Sequence, residues 1–456
     1  MPKLLIKGAT VITMDARAPD LPTGDILVED GYIAALGNDL AAPDGAELID
    51  ASGMIAAPGL INAHLHTWQT ALRGVAADWT MPQYLRAMHA GLATLFKPAD
   101  IYLGNLMGAL NQINCGTTTL IDWCHNNPTP DHTDAAIDGL MESGIRAVFL
   151  HGSPKPDPKP GQKHFSEVPM PRAEVERVRK DRLADNDGLV TLGLAILGPA
   201  YSVYQVTKQD MQLARELDLV PSMHVGGGRM VTPDGFERLA ADGLIGAPMN
   251  VVHGNNLSDA QLDMLTGVGV GFTVTVEVEL QMGFGESLTG RLCQRGSPLS
   301  IGTDVEPAVK SDMFACMRST LQAQRHADNC RTLRSTGQVP ATCTIGCRQA
   351  LEWATINGAK MARLEQRVGS LAPGKQADLI LLRKDDLNLS PLHDPIASLV
   401  MHAGPENVDT VLIAGRVMKR NGRLVYADLA RKCAALASSG ERLTQNFQRL
   451  SGAAPH

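Results

Sequence analysis

Between residues 58 and 365 the chain repeats one pattern eight times: a short apolar run, then a stretch with helical spacing. The runs are LINAHLH (60–66), TTTLIDW (117–123), RAVFLHG (146–152), VTLGLAIL (190–197), VPSMHV (220–225), NVVHG (250–254), VGFTVTVEVEL (270–280) and PLSIGTD (298–304). Strands this short and apolar are buried on both faces, and strands separated by helices pair in parallel. Eight such units predict an α/β fold of the (β/α)8 TIM-barrel type, with a doubly wound open sheet as the alternative. The helical stretches carry matching end signals. In KPADIYLGNLMGALNQIN, Pro98 suits a first helical turn and Gly116 follows the last.

Both ends of the chain read differently. Residues 1–57 alternate in short β-rich runs broken by Asp-Gly and Ser-Gly turns, and ADLILLR (377–383), VDTVLIAGRVMKR (408–420) and RLVY (423–426) do the same downstream. We therefore expect a composite β-sandwich built from both termini, residues 1–57 and 366–426, interrupted by a barrel over 58–365. Residues 427–456 follow as a helical segment that packs against the body or a partner subunit. The stretch SPKPDPKPGQKHFSEVPMPR (153–172) is a long loop after the third strand, and loops of that length are functional lids or disordered insertions.

Composition narrows the function classes. Aromatic residues are only 4% of the 456, which argues against a surface that stacks nucleic-acid bases. A net charge of -7 argues against polyanion binding, so no nucleic-acid partner is expected. No run of 18 apolar residues occurs and the N-terminus lacks a cleavable signal, so no membrane association is expected either. The eight cysteines include no CxxC pair, a pattern of free thiols in a reducing compartment, and the expected location is cytoplasmic.

The histidines are informative by placement. His64 and His66 lie two apart in a strand, so both imidazoles share one face. A lone HxH carries little weight, and any one of these histidines is by itself more often structural. Context changes the reading: the pair ends strand one, His224 ends strand five, His253 ends strand six and Asp304 ends strand eight. The C-terminal strand ends are where a barrel keeps its active site, and three imidazoles with a carboxylate suit a divalent transition metal.

These residues and their surroundings resemble the metal-dependent amidohydrolase superfamily, in its branch of triazine hydrolases, chlorohydrolases and cytosine- or adenosine-type deaminases. The resemblance spans nearly the whole chain. It is carried by APGLINAHLHTWQTALRG (57–74), CGTTTLID (115–122), SGIRAVF (143–149), MHVGGG (223–228), VVHGNNLSD (251–259), SIGTD (300–304) and ATINGAKMARLEQRVGSLAPGKQADLILL (354–382). It implies that His64, His66, His224 and Asp304 bind one metal, zinc before iron, manganese or cobalt. Strand four lacks the lysine that dinuclear relatives need, so a mononuclear site is implied. Asp304 would transfer the proton of the attacking water, and His253 would polarise the substrate or its leaving group. Trp68 and Gln69, in a loop that relatives use to hold substrate, are candidate substrate contacts, with His125 after strand two and Tyr201 after strand four. The expected partner is a small molecule, and relatives are commonly homo-oligomers.

One position breaks the pattern. Deaminases of this branch carry a glutamate three residues after the strand-five histidine, and here Gly227 stands there. Glu277 and Glu279, alternating along strand seven, are candidate replacements for that proton shuttle, or structural carboxylates paired with Arg318 or Arg291. The expected activity is hydrolysis of a non-peptide C–N bond in a small N-heterocyclic, amide or urea-like substrate. Alternatives are an aminohydrolase or dehalogenase that uses a strand-seven glutamate, and a non-catalytic binding relative.

Overall fold

The computed structural model describes residues 3–226 and 228–451, so Gly227 lies outside the described residues. Eight parallel strands pair in chain order: Leu60–Leu65, Thr117–Cys124, Arg146–Gly152, Val190–Ile196, Pro221–Val225, Asn250–His253, Gly271–Val274 and Leu299–Ile301. Sequential order without a reversal excludes the doubly wound sheet. The sheet closes where the last strand meets the first. Leu65 and Asp304 form a parallel bridge, the His66 N–H donates to the Asp304 carbonyl at 2.8 Å, and the Asp304 N–H donates to the His64 carbonyl at 2.9 Å. Gly302 makes this seam passable: a Cβ there would stand 2.6 Å from the backbone N and O of His64. Closure therefore places the first and eighth strand ends, with their histidines and aspartate, against one another.

Strand length sets the first correction. The alternating run 270–280 is not one strand: it leaves the sheet after Val274, and Val276–Met282 is helical, ending at Gly283 with φ 84°. The Glu279 carboxylate accepts the Thr275 N–H at 2.8 Å, satisfying a donor the ladder no longer pairs. Two carboxylates in the first turn also sit favourably at the positive end of the helix. Period-two alternation persists in the sequence, but the pairing partner stops at the barrel rim.

A second sheet joins nine strands from both termini. Leu4–Val11 pairs antiparallel with Leu21–Glu29 and in parallel with both Glu47–Asp50 and Met54–Pro58. Met54–Pro58 pairs antiparallel with Leu379–Arg383, which leads on to Val408–Ile413 and Arg416–Arg420. Alternate residues Leu4, Ile6, Leu379 and Leu381 point into a common core with Ile26, Val28 and Leu412. The terminal helix Leu429–Ser451 packs on the barrel helix Pro98–Asn114 and on the short helical segments Thr67–Leu72 and Leu92–Leu95 that precede it. Its Ser439 and Arg442 bond Asp100, and a Cβ on Gly440 would meet the Ala71 carbonyl at 2.3 Å. Residues 452–456 lie outside the described residues. Among the described residues no helix is long and apolar enough to cross a membrane, and all eight cysteines are free.

Candidate metal centre

His64 and His66 project from the end of the first strand, His224 from the fifth and Asp304 from the turn after the eighth. One ligand atom from each lies within 4.8 Å of all the others, and all four residues are buried. Asp304 Oδ1 is 3.3 Å from Nε2 of both His64 and His66, and His224 Nε2 is 3.1 Å from His64 Nε2. The His66 Nδ1–H donates to the Trp123 carbonyl at 2.6 Å, which fixes the tautomer and turns the Nε2 lone pair inward.

Protonation suits a metal. Burial pushes His64 down to about 4, against a smaller opposing pull from Asp304, and it pushes His224 well below the ordinary histidine value. Both rings are neutral ligands at neutral pH. Burial acts to raise the Asp304 pKa, but hydrogen bonds to His64 and His66 outweigh it and hold the carboxyl well below its usual range. Three imidazoles and one carboxylate, buried and converging on one point, fit a divalent transition metal.

His253 stands beside this cluster, its Nε2 3.8 Å from Asp304 Oδ2. Its Nδ1 is 3.0 Å from the Thr275 hydroxyl and 3.4 Å from Glu279 Oε1. The Thr275 hydroxyl also donates to Asp304 Oδ2 at 3.4 Å, linking the two residues. Glu279 thus lies behind His253, on the side away from the metal cluster. Glu277 is elsewhere: two residues on a helix turn to different faces, and its carboxylate bonds Ser319 on the helix Met313–Thr336. Neither glutamate pairs with the arginines named above, since Arg318 bonds the Ala403 carbonyl and Arg291 bonds Asp259.

A small cavity of about 20 Å³ lies over the cluster, lined among others by Tyr84, His89, His125, Lys155, Tyr201 and Phe284. Two of the four expected substrate contacts, His125 and Tyr201, are in its wall. Trp68 and Gln69 are not; they stand behind it. The Trp68 indole N–H donates to His125 Nδ1 at 3.2 Å, and the Gln69 amide donates to the Tyr84 hydroxyl at 2.6 Å. Their side chains are fully buried, so they position wall residues rather than face the cavity. Tyr84, His89 and Lys155 escaped the sequence reading because they come from short helical turns (81–89) and an irregular loop whose entry into the mouth no periodicity reports. The only signal was the placement of both segments after barrel strands. A larger surface hollow lined by Pro248, Met249, Gly271 and Pro298 lies at the opposite, N-terminal end of the barrel, where conserved function is not expected of this fold.

The model of the amidohydrolase family matches residues 55–233 and 287–418. The chain is 30% identical over 442 residues to the 5-methylthioadenosine/S-adenosylhomocysteine deaminase of Desulforudis audaxviator, covering 93% of this chain and 95% of that one. It is 28% identical over 433 residues to the 5'-deoxyadenosine deaminase of Methanothermobacter thermautotrophicus, covering 92% and 94%. Among solved structures it shares its fold with a zinc-bound adenosine deaminase from Xanthomonas campestris (TM-score 0.83, 23% identity, 97% and 99% covered). It shares it equally with the atrazine chlorohydrolase of Arthrobacter aurescens TC1 complexed with zinc (TM-score 0.83, 24% identity, 96% and 100% covered). A family match over both halves of the barrel, a near full-length relative and a His3Asp cluster at the barrel mouth agree: the chain belongs to the amidohydrolase family, as a metal-dependent hydrolase of carbon–nitrogen bonds.

Proposed function

We propose that the protein hydrolyses a non-peptide C–N bond in a small N-heterocyclic, amide or urea-like substrate, using one zinc ion held by His64, His66, His224 and Asp304. The observation that carries this reading is the convergence of those four buried donors beside His253. When bound, the metal supplies Lewis acidity that brings the pKa of water close to neutrality. Asp304, ionised and facing the cavity, accepts the proton of the attacking water and passes it to the leaving nitrogen. His253 is held by Nδ1 against Thr275 and Glu279, which leaves Nε2 to share a proton with the oxygen that gains negative charge. His125 and Tyr201 in the wall, backed by Trp68, orient the substrate.

Ring deamination is the second reading, favoured by the deaminases to which the chain is most similar among the named relatives. Gly227 speaks against its usual form, because no glutamate stands at that position to serve the ring nitrogen. Glu279 does not replace it directly, since it reaches His253 rather than the open cavity.

The experiment is metal analysis of purified, zinc-reconstituted protein together with a screen of amino-heterocycles, ureas, carbamates and cyclic amides for ammonia or amine release. We expect about one equivalent of zinc, and a content below roughly 0.2 equivalents would overturn the reading. Release of ammonia from aminoheterocycles alone would select deamination; release from ureas or cyclic amides would select the broader hydrolysis.

A further inference from the structure

The loop after the third barrel strand carries four prolines between residues 153 and 160 and sends one lysine inward. Lys155 is 8% exposed and lines the cavity over the metal cluster. Its Nζ lies 4.9 Å from the ring centre of Tyr201 and 5.6 Å from that of Trp123, both within cation–π range. Among the described residues no hydrogen bond or ion pair satisfies it. Lysine is almost never buried this deeply without a partner. Burial lowers its pKa to about 8, so it still carries charge at neutral pH.

Charge in the cavity makes the missing partner a matter of substrate. Asp304 is the one carboxylate lining the cavity among the described residues, and it is committed to the metal cluster. The Lys155 ammonium therefore has no carboxylate of its own among the described lining residues. An uncompensated buried cation is tolerated where a ligand completes it.

Resting on the hydrolase reading above, we propose that Lys155 anchors an anionic oxygen of the substrate, so that the enzyme takes small amides, ureas or heterocycles bearing a carboxylate or an ionised ring oxygen. The faces of the two aromatic rings lie against the ammonium, which leaves N–H bonds free for the incoming oxygen. Specificity then comes from charge at one end of the substrate, while the metal cluster and His253 address the scissile bond at the other.

The test is a binding titration on the full-length protein, with its zinc content measured beforehand, followed by tryptophan fluorescence and calorimetry. Acetate and the cyanurate monoanion represent the two anionic chemistries, and acetamide and melamine are their uncharged counterparts. We expect Lys155→Met to weaken at least one anion by tenfold or more while leaving the uncharged partner within twofold, and Lys155→Arg to recover part of the loss. Acetate sensitivity assigns a carboxylate-bearing substrate; cyanurate sensitivity assigns an ionised ring oxygen. If neither anion binds more weakly to Lys155→Met, or if charged and uncharged titrants lose equally, the proposal is wrong. Thermal unfolding of Lys155→Met should be unchanged or shifted upward, which separates lost binding from lost fold. The titration does not depend on turnover: protein that binds acetate through Lys155 but hydrolyses nothing would sink the proposed function and leave the anchor standing.

Discussion

Asp304 and His253 hold their backbones at φ 65° and 67°, in the left-handed region that β-sheet residues avoid. Such conformations cost about 1–3 kcal/mol each and persist where the surroundings over-determine them. Here the Asp304 backbone is clamped to His64 and His66 across the barrel seam, and the strain turns its carboxylate into the mouth. Asn tolerates the same backbone region and nearly matches Asp in shape. Asp304→Asn should therefore keep the fold, read by circular dichroism, and lose turnover by about 1,000-fold or more, since the proton acceptor is gone. Near-normal activity in that variant would remove Asp304 from the chemistry. Glu279 and Glu277 now separate cleanly. Glu279→Gln retains an acceptor for the Thr275 N–H but removes the charge beside His253, and should lower kcat by about 10–100-fold with KM little changed. Glu277→Gln, bonded to Ser319 outside the cavity, should stay within about twofold of wild type. Equal losses in the two variants would contradict this assignment. The His3Asp set was legible in the sequence because strand ends and the period of two locate it; the roles of the two glutamates were not, because their alternation looks the same on a strand as on a short helix.

The elements that finish the site are the irregular ones. The eight barrel strands announce themselves by apolar runs, and seven of them end close to where the runs end. The exception is 270–280, where a seven-residue helix takes over at the rim. A segment that short gives periodicity too few turns to register. The loop 153–172 is the other case: proline content marks it as a loop, but nothing in its pattern shows that Lys155 turns inward. Its far end is fixed by Asp210 on the helix Tyr204–Glu216, whose carboxyl accepts the Met170 N–H at 2.8 Å. Burial raises the Asp210 pKa from 3.8 to about 7, against the opposing pull of that hydrogen bond. The fold thus favours the protonated carboxyl. Its contribution is fully present below the unfolded-state value and is lost as pH rises through about 7. Asp210→Asn keeps the acceptor and stays neutral, so it should exceed wild type by ~1–3 kcal/mol near pH 8 and approach it only near pH 4. Urea denaturation at the two pH values checks this; parallel curves for the two proteins would show that Asp210 is not the titrating group.

At the scale of the molecule, the barrel and the terminal sheet share one apolar core, where Ile55, Ile380, Leu382, Val408 and Val411 pack with barrel residues, and deeply buried polar links cross the same seam. The composite sheet was legible as β-rich runs at both ends, yet how it attaches was not, because the side chains that meet across the seam lie far apart in sequence. Arg146, at the start of the third barrel strand, pairs with Asp378 at the edge of the strand Leu379–Arg383. The pair is two-pronged, with Nε to Oδ2 at 2.8 Å and Nη2 to Oδ1 at 2.9 Å, and both side chains are at most 2% exposed. Asp378 also accepts the Ala414 N–H through Oδ1 at 2.8 Å, and its carbonyl accepts the Gly59 N–H at 3.0 Å. One carboxylate therefore ties the sheet turn at Ala414 and the barrel together, and its neighbouring backbone leads into the first barrel strand through Gly59. Removing one member of such a pair leaves an uncompensated buried charge, whereas removing both for apolar groups of similar volume is often close to neutral. Asp378→Leu should therefore cost ~3–5 kcal/mol of unfolding free energy, and the double variant Asp378→Leu with Arg146→Met should recover a large part of it. Denaturant unfolding followed by tryptophan fluorescence measures both. A double variant as unstable as the single one would mean that the lost backbone acceptors, rather than the stranded guanidinium, dominate the joint, and that Asp378 acts there as a cap for the sheet turn more than as an ion-pair partner.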